Sequence, residues 1–163
     1  MYKVGIGFDL HALAEGSLLK IGGVEIPHSK GLFGHSDADV LVHSIMDAIL
    51  GALALGDIGQ HFPDTSSKFK NVNSLELLGY VYNLADEKGF FVSNLDCIVM
   101  AEKPQISSYI LRMRENLAIV LNIDIELVSV KATTTEKLGF VGREEGIAAQ
   151  AVVLLQSSIN KES

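Results

Sequence analysis

Between positions 40 and 55 the chain carries its longest strongly apolar run, broken only by His43, Ser44, Asp47 and Gly51. The run falls short of the roughly 20 residues that cross a bilayer, so it predicts a buried helix over about 39–53, and no membrane partner is expected. At about 100° per residue, Asp39, His43 and Asp47 share one narrow arc. Val40, Leu41, Val42, Ile45, Met46, Ile49 and Leu50 occupy most of the remaining circumference. A helix apolar nearly all round must be covered on nearly all sides, and the polar groups on it then need partners, an ion or a ligand. With 163 residues, 48% of them hydrophobic, the chain can supply that cover from one full core. One domain over 1–157 and a polar tail over 158–163 are expected.

The remaining sequence alternates strands with helices. A strand is predicted over 2–8, closed by Asp9-Leu10-His11, and a tight hairpin over 18–27 is split by Gly22-Gly23. Asn73 caps a second helix with Glu76 three residues on, Leu75, Leu78, Val81, Leu84 and Ala85 repeat at helical spacing, and Gly89 ends it. A strand over 92–101 follows, then a helix opened by Ser107 or Ser108, with Ile110, Met113, Leu117 and Val120 on one side. Strands over 128–132 and 146–155 complete the set. This order predicts an α/β (α+β) sandwich of ferredoxin-like type, a sheet with helices packed on one face.

Cys97 is the single cysteine, so neither a disulfide framework nor a thiolate metal site can form, and it reads as buried and inert. The formal charge of −7 excludes a general nucleic-acid binder. An anionic ligand would have to be held by local cations: a metal, with Lys131, Lys137 and Arg143. No signal-peptide or transit pattern opens the sequence, so a cytoplasmic protein is expected.

Alternation places Asp9 and His11 on one side of their strand, within reach of one ion, and Leu10 toward the core. Alone, Asp9 and His11 read first as surface groups at a strand end, and His43 as a core histidine bonded to a neighbour. Two histidines and a carboxylate on separate rigid elements match the three-ligand pattern of catalytic zinc, whose fourth position stays open. Asp47 reads either as a carboxylate orienting an imidazole or as a plain helix-surface group. His35-Ser36 precede a helix N-terminus, where free N–H groups meet anions. In Thr133-Thr134-Thr135-Glu136, the Thr133 to Glu136 spacing suits a capping box; the competing reading sets hydroxyls on a phosphate and gives Glu136 a hard cation. Gly5-Ile6-Gly7 lacks the third glycine and the helix of a dinucleotide fingerprint.

The blocks GIGFDLH, HSDADVLVHSIMDAILGALALGDIGQHFPDT and VKATTTEKLGFVGREEGIA resemble the 2-C-methyl-D-erythritol 2,4-cyclodiphosphate synthase family, in order and over about residues 3–155. The resemblance implies a homotrimer with active sites between subunits and zinc on Asp9, His11 and His43. It also implies that His35 and Thr134 stabilise the transition state, and that Glu136 binds magnesium or manganese. Asp9, His11, His35, Ser36, Asp57, Ile58, Gly59, Phe62, Pro63, Asp64, Thr65, Ser66, Phe140 and Arg143 would contact substrate, the last two beside a central cavity that can take an isoprenoid diphosphate. Ala101, Glu102, Lys103, Pro104, Gln105, Ile106 and Ser107, with Ala132, Thr133 and Thr134, would hold cytidine. The chain departs from the family at Gln105, where a lysine often stands and for which Lys103 can substitute. It departs also at Ala38, usually glycine, and Ser66, usually aspartate.

The implied reaction is attack by the 2-phosphate of a cytidine-diphosphate-linked substrate on its own β-phosphorus, giving the cyclic diphosphate and CMP. Positioning and charge neutralisation would supply the catalysis, since nucleophile and leaving group are both phosphates. Two other readings stay open from the residues: a zinc phosphohydrolase, and a non-enzymatic trimer that binds prenyl diphosphate.

Overall fold

The computed structural model describes residues 1–34, 36–63, 65 and 72–158. The candidate residues His35, Asp64 and Ser66 lie outside the described residues.

Strand β1 (Tyr2–Glu15) is followed by a small hairpin of β2 (Lys20–Ile21) and β3 (Val24–Glu25), then by β4 (Lys30–Phe33). Helix α1 (Val40–Ala52), the single turn α2 (Ile58–His61) and helix α3 (Ser74–Glu87) come next. After β5 (Phe90–Met100), a 3-10 turn at Ser107–Tyr109 leads into α4 (Ile110–Leu121). A second 3-10 turn, Ile125–Leu127, precedes β6 (Val128–Thr133), and α5 (Gly139–Gly142) precedes β7 (Gly146–Ser157). The main sheet has the order β4-β1-β7-β5-β6. All its pairs are antiparallel except β5 with β6, which are parallel and joined through α4.

The expected two-layer arrangement is present, with helices on one face of the sheet and α1 at the centre of the core. Every apolar residue of α1 from Val40 to Leu50 is buried. Its polar interruptions are satisfied individually: the Ser44 hydroxyl donates back to the Leu41 carbonyl (2.8 Å). Asp39 is the N-cap of α1 and is fully buried. Its carboxylate accepts the N–H groups of Val42, Gly22 and Gly23, tying the start of the helix to the hairpin turn. Gly22 and Gly23 both take positive φ (59° and 72°), the requirement of a two-residue turn of this hand. Asp39 therefore belongs to the scaffold, and only His43 of the polar arc reaches the metal-ligand cluster.

Two expectations are corrected. β1 runs to Glu15 and pairs over its second half with β4, a strand not anticipated because Lys30-Gly31-Leu32-Phe33 is short and lacks alternation. Leu10 does not face the core. The helix-side face of β1 is taken by Gly5, Gly7, Asp9 and His11, so alternation turns Val4, Ile6, Phe8 and Leu10 onto the opposite, open face. Of the two readings open for Asp47, the orienting one finds no imidazole among the described residues: its carboxylate accepts the N–H of Ile58 (2.8 Å) and so fixes the start of α2.

Candidate active site

Asp9 and His11 point from β1 toward α1, and His43 points from α1 toward them. His11 Nε2 lies 3.1 Å from His43 Nδ1, and Asp9 Oδ2 lies 3.0 Å from His11 Nε2 and 3.1 Å from His43 Nδ1. Tetrahedral zinc with bonds of about 2.0–2.2 Å separates its ligand atoms by about 3.3–3.6 Å. The two nitrogens and one oxygen thus sit close to a metal-ligand spacing, and among the described residues they form the one such cluster of three. His43 is 7% exposed, while Asp9 and His11 keep an open side. That donor set suits zinc with a free fourth position.

The electrostatics point the same way. Burial pushes the Asp9 carboxyl up, but hydrogen bonds and charge from His11 and His43 outweigh it and hold the group at about 2. Burial disfavours the charged form of His43, yet the Asp9 hydrogen bond and the charges of Asp9, Asp39 and Asp37 carry it above its ordinary value. The centre is therefore built to hold positive charge, as protons or as a cation.

The back of His43 is also organised. Its Nε2 lies 3.0 Å from the Ser74 hydroxyl and 3.0 Å from the Ser36 hydroxyl. Ser74 in turn donates to Asp37, which also accepts the Ser74 backbone N–H (3.1 Å) and pairs with Lys20 (3.3 Å). Sequence reasoning missed Ser74 and Asp37. Ala38, beside them, takes a positive φ of 54°, the left-handed region that glycine occupies without strain.

One helical turn beyond His43 on α1, Asp47 anchors the segment from Asp57 to Gly59. Asp57 caps α2 through the Gln60 N–H (3.0 Å), and Phe62 stacks edge-on against Tyr80 (5.7 Å). Pro63 is half-buried and Thr65 exposed. Burial raises the Asp47 carboxyl, and the charges of Asp57 and Asp9 add to the rise. The candidate Asp57, Ile58, Gly59 and Phe62 are thus positioned from the same helix as His43.

The second group of candidates gathers at the carboxyl ends of the parallel strands β5 and β6. Ala101 N–H donates to Thr133 O (3.0 Å), and Glu102 Oε2 accepts the N–H groups of Thr135 and Lys137. The start of this loop, Ala101 and Glu102, therefore lies against the segment from Thr133 to Lys137. Thr133 and Glu136 do not form a capping box, because Glu136 and Lys137 both adopt positive φ (52° and 63°) and no helix starts there. The Glu136 carboxylate stays exposed, accepting from the Thr134 hydroxyl (3.3 Å). Two expected phosphate cations are paired within the chain: Lys131 with Asp96 (2.7 Å) and Arg143 with Glu145 (2.9 Å). Lys103 pairs with Glu144 (3.1 Å), and Phe140 sits on α5 near Gly146.

A sequence profile described as the YgbB family matches residues 2–156. The chain belongs to this family. A relative from Desulfitobacterium hafniense (strain DSM 10664 / DCB-2), named 2-C-methyl-D-erythritol 2,4-cyclodiphosphate synthase, is 58% identical over 155 residues, covering 95% of this chain and 98% of the relative. Among solved structures, the bifunctional IspDF from Campylobacter jejuni matches with TM-score 0.92 and 48% identity, over 96% of this chain and 42% of that one. A Plasmodium falciparum IspF solved as a CDP complex matches with TM-score 0.84 and 38% identity, over 96% of both chains. These likenesses span nearly the whole chain. Cys97 is buried in β5 and its thiol is pushed upward by burial, in keeping with an inert role. Among the described residues no helix is long and apolar enough to cross a membrane.

Proposed function

We propose that this chain converts 4-diphosphocytidyl-2-C-methyl-D-erythritol 2-phosphate to 2-C-methyl-D-erythritol 2,4-cyclodiphosphate and CMP, the reaction after which its relatives are named. The observation that carries the reading is the Asp9, His11 and His43 cluster, poised for one ion and open on one side. Zinc on these three residues, and magnesium or manganese at Glu136, would supply when bound the positive charge that a diphosphate needs as its β-phosphorus is attacked. An oxygen of the 2-phosphate forms the new bond to the β-phosphorus, and the bond from that phosphorus to the bridging oxygen breaks, leaving CMP with the electron pair. No proton has to be removed from the nucleophile.

The protein's own groups then bind and orient. Thr134 directs its hydroxyl and neighbouring N–H groups to the phosphates, with His35 as a further donor. The segment from Asp57 to Gly59, with Phe62, Pro63, Asp64, Thr65 and Ser66, encloses the methylerythritol end. The loop from Ala101 to Ser107, with Ala132 and Thr133, takes cytidine, in line with the CDP bound by the Plasmodium falciparum relative. Phe140 and Arg143 border the phosphate side.

The sheet register supports a site shared between chains. Asp9 pairs with Ala149, Ala149 with Val99 and Val99 with Ala132, so β6 lies three strands across from the metal cluster. At about 4.8 Å per strand this is roughly 14 Å, and metal–oxygen contacts of about 2 Å are too short to bridge it with one diphosphate. A homotrimer in which Thr134 and Glu136 of one subunit meet the zinc centre of the next closes that gap.

Phosphorus NMR of the protein with the cytidine-linked substrate, zinc and magnesium is expected to show the cyclic product and CMP. Oxygen-18 from water entering the product would overturn cyclisation in favour of hydrolysis. His43→Ala is expected to lose zinc and turnover while keeping its circular dichroism spectrum. A variant that kept stoichiometric zinc and full CMP release would overturn the site.

A further inference from the structure

Ser74 is the first residue of α3, lies 31 positions from His43 in sequence and is 1% exposed. A serine hydroxyl has one hydrogen. Here it is directed at Asp37 Oδ1 in a short hydrogen bond. The oxygen therefore faces His43 Nε2, at 3.0 Å, with lone pairs only. A contact of that length is favourable only if Nε2 carries the hydrogen. The Ser36 hydroxyl lies at the same 3.0 Å. Asp37 cannot turn away to release the serine, because the Ser74 N–H (3.1 Å) and the Lys20 ammonium (3.3 Å) hold its second oxygen.

We infer that Asp37 and Ser74 are positioning residues that keep a hydrogen on His43 Nε2, so that Nδ1, the nitrogen turned to Asp9 and His11, is the one that ligates the metal ion. Nδ1 is the nitrogen that faces Asp9 Oδ2 and His11 Nε2, both at 3.1 Å. An imidazole whose only hydrogen sat on Nδ1 would offer the ion no lone pair on the side that faces it. The half-buried carboxylate behind the serine also makes the imidazole a better donor to a cation, as outer partners of metal-ligating histidines do. The chain joins three separate elements, since Asp37 precedes α1, Ser74 opens α3 and Lys20 lies on β2. This inference rests on the zinc reading of the site.

The test uses the full-length protein. Ser74→Ala is expected to weaken zinc, measured by competition with a chelator, by roughly 10–100-fold. With cobalt(II) in place of zinc, its visible ligand-field bands should shift. Turnover at saturating zinc should fall in kcat with KM little changed, and Ser74→Thr should restore all three readings. Asp37→Asn retains the shape of its residue and should reproduce the cobalt shift even if Ser74→Ala folds poorly. Wild-type affinity and an unaltered cobalt spectrum in a folded Ser74→Ala, or in Asp37→Asn, would overturn the inference. Failure of the wild-type protein to bind zinc or cobalt at Asp9, His11 and His43 would instead overturn the site on which it rests.

Discussion

His43 is pulled by opposite demands at its two ring nitrogens, and the balance sets how the centre responds to pH. Its folded value lies above the ordinary 6.5: burial opposes the charge, but Asp9 more than compensates. In the metal-free protein, the stabilisation from protonated His43 is fully present below about 6.5 and is lost as pH rises through the raised folded value. For Asp9, held near 2 against an ordinary 3.8, the stabilisation is present above 3.8 and lost only as pH falls through about 2. Zinc and the proton compete for His43, so zinc affinity should grow with pH over the interval in which the metal-free protein weakens. The gap in Tm between zinc-loaded and chelator-treated protein is therefore expected to widen from pH 6 to pH 8. A gap that stays constant over that range would show that His43 does not exchange a proton for the metal.

The same scale shows what the sequence could and could not carry. Asp9, His11 and His43 were legible because strand alternation and helical period each place a rare residue type on a definite side. Ser74 and Asp37 were not, because a serine after the cap Asn73 looks like any helix start. Nothing local says that its hydroxyl meets a histidine on another helix. Glu136 was ambiguous for a physical reason: the Thr-x-x-Glu spacing describes a capping box only if the backbone is helical, and two consecutive positive φ angles make it something else.

At the scale of elements, the contact between β1 and α1 decides whether the ligands meet. A Cβ on Gly5 would lie 1.8 Å from the Ala48 carbonyl oxygen, and one on Gly7 would lie 1.9 Å from that of Ser44. The helix backbone thus rests directly on the strand backbone, and His43, adjacent to Ser44, is delivered onto Asp9 and His11. The Gly5-Ile6-Gly7 motif that fails as a dinucleotide fingerprint is a packing notch. Gly7→Ala must push α1 outward, at about 1–3 kcal/mol or more for overpacking, and should also separate His43 from the β1 ligands. Urea unfolding should report the lost stability, and zinc titration a weakened site although no ligand has been changed. Unchanged zinc affinity in that variant would show that the centre tolerates a displaced helix. The long apolar helix and the capped α3 were readable from their periods. The second half of β1 and its partner β4 were not, since pairing between them depends on a return of chain that the four residues of β4 barely signal.

At the scale of the whole molecule, the open face of the sheet has no cover among the described residues. Val4, Ile6, Phe8 and Leu10 of β1 and Val152 of β7 are exposed there, Ile6 by 63%. Contiguous exposed apolar surfaces are typical of protein contacts, and the proposed shared site, with Thr134 and Glu136 far from the Asp9, His11 and His43 cluster, would need a second chain as well. If both features have one cause, a charge on the open face should abolish turnover without touching the metal. Ile6→Asp leaves the helix-side core intact, since the side chain points away from α1, and surface changes of this type usually cost little stability in the isolated fold. The expected outcome is a species of monomer mass by analytical ultracentrifugation that still binds one zinc per chain but releases no CMP. A monomer with full turnover would mean that one chain closes the active site by itself. A variant that sedimented as a trimer would place the subunit contact on another face of the molecule.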